Sequence, residues 1–174
     1  MTDTKRELFC PACGKIMKKI YIKSAKCNLD VCTEGCGGIY FDNYEFKKMD
    51  ERAEDVHELI EALSGKNFEK VDESQTRVCP VCNHNMVKHF ASAKKEVEID
   101  ECYSCGGIFL DGGELMAIRE QFKTEKERIE HFNSVFAAEH SDALESINKM
   151  ESQIDRNRLK RVEAVGNLFR KIFS

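Results

Sequence analysis

The chain has no tryptophan, only two prolines and almost no charge imbalance, and it lacks any long apolar run. Each shortage removes a class of protein. A membrane span needs roughly 18–20 consecutive apolar residues, and no stretch approaches that, so a membrane is not expected as a partner. Its 27 basic and 31 acidic residues leave a net charge of −4, so wholesale electrostatic wrapping of DNA is not expected either. The opening MTDTKRELFC lacks the apolar core of a signal peptide, which sets the expectation of a cytoplasmic protein. No Walker loop, dinucleotide glycine motif, H-E-x-x-H or nucleophile elbow occurs in the chain. What the 174 residues do hold is cysteine, nine in all. Without an oxidising compartment, so many thiols argue for metal thiolates rather than a disulfide framework.

Those cysteines repeat. Shifted by 69 residues, CPACGKIMKK (10–19) lies over CPVCNHNMVK (79–88), and CGGIYFDNYEF (36–46) over CGGIFLDGGEL (105–115). Cys10, Pro11, Cys13, Met17, Lys19, Cys36, Ile39, Asp42 and Glu45 all have identical counterparts at that offset. So many rare residues aligned at one offset mark a tandem duplication. The copies differ in one respect. Cys13 and Cys32 enclose 18 residues where Cys82 and Cys102 enclose 19, and Cys32-x-x-x-Cys36 replaces Cys102-x-x-Cys105.

A C-x-x-C turn presents two thiolates to one tetrahedral ion, and a second turn completes the set. Zinc suits four sulfurs because it brings no redox chemistry and no geometric demand beyond crowding. The residues after each turn are Gly14, Gly37, Asn83 and Gly106, types that tolerate the positive φ such a knuckle needs. Each copy has about 35 residues around its cysteines, too few to fold on apolar burial alone. Two zinc ions per chain are expected, one on Cys10, Cys13, Cys32 and Cys36, the other on Cys79, Cys82, Cys102 and Cys105. Unligated thiols and an iron–sulfur cluster are the rival readings. Cys27 has no counterpart in copy two, and reads as an inert strand residue, a substitute ligand or a redox-sensing thiol. His57, His84, His89, His131 and His140 show no ligand spacing, and only His84 sits inside a knuckle.

The segments KKIYIKSAK and VKHFASAKKEVEID read as hairpins, with IYF and IFL as strands after the second knuckle. Asp42-Asn-Tyr-Glu45 and Asp111-Gly-Gly-Glu114 match the capping-box pattern that starts a helix, a reading that leaves little room for a catalytic carboxylate pair. A seam of Phe46, Met49, Ala53, Val56, Ile60 and Leu63 then predicts a helix over 43–64. A second seam runs through Leu115, Ile118, Phe122, Ile129, Phe132 and Phe136, and resumes as Ile147, Met150 and Ile154, then Val162, Val165, Phe169 and Ile172. The expected fold is a small α+β one: two four-cysteine zinc ribbons, each followed by a helix, with a long C-terminal helical region. The boundaries are ribbon one with its helix at 8–65, a polar linker at 66–76, ribbon two at 77–111, and coiled-coil-like helices at 112–174. Such a stripe must be buried by self-association or against the 43–64 helix. The last 19 residues hold six bases and one acid, a basic end open to a membrane surface, nucleic acid or a protein.

The run C-P-x-C, about twenty residues, C-x-x-C-G-G, Ile-aromatic-Leu and Asp-x-x-Glu-Leu resembles the transcription factor IIB-type zinc-finger family of small bacterial and archaeal proteins. Cys79, Cys82, Cys102, Cys105, Gly106, Gly107, Phe109, Leu110, Asp111, Glu114 and Leu115 carry the likeness. It covers about residues 8–50 and 77–118. This family usually has tryptophan where Tyr40 and Phe109 stand, and copy one departs further in its C-x-x-x-C knuckle. The resemblance implies a zinc ribbon in each copy and says little about activity.

Closed four-sulfur sites leave no open position for catalysis, so no enzyme is expected. The leading expectation is a zinc-binding adaptor that docks on a protein partner, of the transcription or translation machinery. Direct nucleic-acid binding is the alternative, through Lys15, Lys18, Lys19, Lys23 and Lys26 along the copy-one hairpin. The acids Glu96, Glu98, Asp100 and Glu101 of copy two weigh against it. A structural oligomer or zinc-thiolate redox switch is a further alternative.

Overall fold

In a computed structural model the chain is described over residues 6–143, 145–154 and 156. Both hairpins form where β-branched and aromatic residues are concentrated. Strand β1 (Lys18–Ile22) pairs antiparallel with β2 (Cys27–Val31), and β4 (Val87–Phe90) with β5 (Glu98–Glu101). The short strands β3 (Ile39–Phe41) and β6 (Ile108–Leu110) are the IYF and IFL segments. They do more than complete each ribbon. β3 and β6 pair antiparallel with one another, Ile39 opposite Leu110, Tyr40 opposite Phe109 and Phe41 opposite Ile108. One six-stranded sheet in the order β1-β2-β3-β6-β5-β4 results, with the join between copies at its centre.

Alternation along a strand sorts the side chains by face. On one face Ile22, Leu29, Val31, Ile39, Phe41, Ile99 and Leu110 build an apolar cluster that helical segments cover through Phe46, Met49, Val56, Leu59, Leu115 and Ile118. The other cluster gathers Tyr40, Phe109, Leu8, Met17 and Met86 with buried cysteines of both copies. IYF is buried along its whole length because both faces of the sheet are covered.

The expected helix over 43–64 is not there. A single 3-10 turn (Phe46–Lys48) is followed by an irregular segment, and α1 occupies only His57–Leu63. The reason lies on α2 (Glu114–Glu120), where the guanidinium of Arg119 takes the carbonyls of Met49 at 2.6 Å, Arg52 at 3.3 Å and Glu54 at 2.5 Å. Those carbonyls are turned out of a helical ladder to reach it. The seam changes accordingly: Leu59 is buried, whereas Ile60 is 49% exposed.

The capping boxes are half realised. Glu45 accepts the Asp42 N–H at 3.0 Å and Glu114 accepts the Asp111 N–H at 2.7 Å. Neither helical start has a side-chain N-cap, and Asp111 is engaged elsewhere. Residues 66–76 lie along the first ribbon, where the Glu69 N–H donates to the Gly35 carbonyl at 3.0 Å and Lys15 pairs with the Glu69 carboxylate at 2.5 Å.

The described residues up to 131 form one compact unit and those from 132 onward a second. Helix α3 (Glu125–Glu139) has no buried residue, and residues 141–143 and 145–154 are also helical. Ile129, Phe132, Phe136, Ile147, Met150 and Ile154 are all exposed. The expected continuation through Val162, Val165, Phe169 and Ile172, with most of the basic end, lies outside the described residues. Among the described residues no helix is long and apolar enough to cross a membrane.

Candidate metal centres

Both knuckles of each copy converge as their spacing requires. Sγ atoms of Cys10, Cys13, Cys32 and Cys36 all lie within 4.8 Å of one another, as do those of Cys79, Cys82, Cys102 and Cys105. Sulfur–sulfur distances are 3.4 Å for Cys10–Cys36 and Cys13–Cys32, 3.6 Å for Cys79–Cys105 and 3.4 Å for Cys82–Cys102. Four sulfurs about 2.3 Å from a tetrahedral ion stand about 3.8 Å apart, so both groups fit a zinc ion. Loops of the two copies are drawn alike. The Cys10 N–H donates to the Lys15 carbonyl and the Cys79 N–H to that of His84, both at 2.8 Å. Gly14, Gly37, Asn83 and Gly106 have φ of 75°, 77°, 60° and 76°, the left-handed conformation expected for them.

The longer C-x-x-x-C knuckle still brings both of its sulfurs into the group, with a glycine packed against the ligands. A Cβ on Gly35 would stand 2.7 Å from the sulfurs of both Cys13 and Cys32. The insertion therefore costs copy one no ligand.

The thiols are electrostatically unequal. Cys36 is lowered to about 6, first by the Cys10 thiol and then helped by the Gly38 N–H. Cys82 is lowered to about 6 by the backbone N–H of His84, with the His84 ring contributing. In the other direction Cys32 is pushed up to about 11 and Cys105 to about 12, chiefly by burial. Cys10 is raised by its contact with Cys36 and by burial, and Cys102 by burial. Four thiolates at such spacing repel one another, and a divalent cation is what lets all four ionise. Bound zinc supplies that charge and closes a structural cross-link.

Around the ligands the structure adds residues that the spacing did not single out. Tyr40, 1% exposed, comes from copy one but places its hydroxyl 3.5 Å from the sulfur of Cys79 and 3.7 Å from that of Cys105. Burial, followed by those sulfurs, raises its phenol well above the ordinary range. Arg77, 2% exposed, holds both carboxylate oxygens of Asp111, at 2.9 and 3.2 Å. Its counterpart at the offset of 69 is Leu8, an apolar residue, so the repeat itself concealed the pair. Lys19–Asp30 at 3.0 Å and Lys88–Asp100 at 2.8 Å are matching cross-strand pairs with buried carboxylates.

The remaining candidates separate from the sulfurs. Cys27 belongs to the apolar cluster on the helical side of the sheet and to neither four-sulfur group. Of the five lysines, Lys15, Lys18, Lys19 and Lys23 face Glu69, Glu34, Asp30 and Glu58, and Lys26 is exposed in the β1–β2 turn with φ 52°. His89 meets Glu101 at 2.7 Å, His57 approaches Glu61 at 3.7 Å, and His131 and His140 pack on the rings of Phe122 and Phe136.

Comparison with known proteins adds a family to this geometry. No curated protein and no solved structure gave a match. The first four-cysteine group, over residues 10–36, is consistent with a second ribbon of the kind found in copy two. For copy two the likeness is direct: residues 78–121 match the family model described as a transcription factor zinc-finger, the TFIIB-type zinc ribbon.

Proposed function

We propose that the chain is a non-enzymatic, cytoplasmic zinc-binding adaptor that docks on a protein partner, of the transcription or translation machinery. The observation that carries this reading is the pairing of two closed four-sulfur groups with an apolar row that is exposed among the described residues. Four sulfurs fill the coordination sphere of zinc, so its role is to hold the sheet rather than to activate water. Ile129, Phe132, Phe136, Ile147, Met150 and Ile154 recur at helical spacing and are 46–61% exposed, the composition of a helix that packs on something else. Direct nucleic-acid binding is the weaker reading, because four of the five hairpin lysines already face carboxylates.

The test is affinity capture from the native lysate with the full chain, with and without nuclease, beside a Phe132→Glu/Phe136→Glu chain. The adaptor reading expects one stoichiometric protein that survives nuclease and is lost with the double variant. Recovery of nucleic acid alone, or of the bait chain alone, contradicts it.

A further inference from the structure

The central strands cross-connect the two metal groups, and they do so unequally. Tyr40 and Phe109 are directly opposed across the β3–β6 ladder, each ring reaching over the glycine of the other copy. The Tyr40 Cζ lies 2.5 Å from where a Cβ of Gly107 would stand, and the Phe109 Cζ lies 2.5 Å from where a Cβ of Gly38 would stand. The two rings thus occupy equivalent places, and only glycine beneath them leaves room. They differ by one atom. The Tyr40 hydroxyl rests against Cys79 and Cys105, whose sulfurs are 3.6 Å apart. Phe109 belongs to the same buried cluster as Cys10 and Cys36 and has no hydroxyl to donate.

We propose that Tyr40 is a positioning residue for the second metal group, its O–H donating across the copy boundary to the thiolate pair of Cys79 and Cys105, with no reciprocal donor at the first group. The inference rests on the reading that both cysteine groups hold zinc. Four thiolates around one divalent ion leave an excess of two negative charges, and donors aimed at sulfur offset it. In copy one that task falls to backbone N–H groups such as those of Ala12, Cys13 and Gly38. In copy two the Gly107 N–H on Cys105 is joined by a phenol that water does not reach. Because the donor belongs to copy one, metal retention in the second group is coupled to the β3–β6 pairing, and the coupling is reciprocal.

A pair of single-atom variants of the full chain tests this. Tyr40→Phe removes the hydroxyl and leaves a ring that Phe109 shows is tolerated in that place. Phe109→Tyr adds a hydroxyl to the equivalent ring, inside the buried cluster that holds Cys10 and Cys36. The probes are zinc content, the rate of zinc transfer to a chromophoric chelator, and the 113Cd resonances of the cadmium-substituted chain, assigned through couplings to cysteine Hβ protons. Expected are two zinc ions in every chain and about tenfold faster release from one group in Tyr40→Phe. Only the 113Cd resonance coupled to Cys79 and Cys105 should move in that variant. Phe109→Tyr should instead move the resonance of the Cys10 group and slow its release, a gain that damage to the fold does not produce. A chain with two zinc ions whose release and resonances are unchanged by Tyr40→Phe, or changed equally at both groups, overturns the proposal alone. A chain that binds no zinc overturns the zinc reading beneath it.

Discussion

Replacing Arg77 by leucine, the residue type at the equivalent position of copy one, is expected to cost far more than a conservative change of size. The guanidinium and the Asp111 carboxylate are 2% and 4% exposed and meet at 2.9 Å. With an effective dielectric of about 20, their attraction at that distance is about 6 kcal/mol. Desolvation of both ions has already consumed much of that, so the pair as a whole adds little. Removing one partner is different, because the carboxylate stays buried without its counter-charge, and the expected loss is about 3–5 kcal/mol. A neutral pair is the control. Arg77→Leu combined with Asp111→Asn should recover most of the loss, since no buried charge is left uncompensated. The assay is guanidinium denaturation of the zinc-loaded chain, comparing wild type with the single and double variants. A single variant within about 1 kcal/mol of wild type, or a double variant no better than the single, would show that the buried pair does not carry this charge compensation.

Other consequences follow from single contacts. Gly35→Ala puts a methyl group 2.7 Å from two ligand sulfurs, so zinc content should fall from two to one per chain while the Cys79 group keeps its ion. Arg119→Met leaves the carbonyls of Met49, Arg52 and Glu54 without their donor. The expected loss is about 3 kcal/mol, with amide exchange over residues 49–56 accelerated. Glu114 is raised to about 7, chiefly by burial, from an ordinary value near 4.5. An acid raised in the folded state favours folding below its unfolded value and loses that contribution as pH climbs through the folded one. Glu114→Gln should therefore become progressively more stable than wild type between pH 5 and 8 in matched denaturation series. A constant difference across that window contradicts the assignment.

What could be read from the sequence was what depends on neighbours along the chain. The cysteine turns, the left-handed residues that follow them, and the IYF and IFL strands each carry their own short-range signal. The join between β3 and β6 carries none, because a three-residue strand does not name its partner. For the same reason Tyr40 read as a substitute for tryptophan rather than as a donor to the other copy's cysteines. The helix expected over 43–64 failed for a related cause. Its apolar residues keep a helical spacing in the sequence, but the carbonyls of the segment are claimed by Arg119, which lies 70 residues beyond Met49. Arg77 and Asp111 escaped notice because comparing the copies pairs Arg77 with Leu8, and a buried arginine next to a cysteine turn looks like a surface residue in a sequence.

Each cysteine group has the donor set and spacing to close around its own zinc ion. The most direct test is metal content together with zinc X-ray absorption on the full chain purified under reducing conditions. Two zinc ions per chain and a single shell of four sulfurs at about 2.3 Å are expected. One zinc per chain, nitrogen or oxygen in the first shell, or bound iron would contradict that assignment.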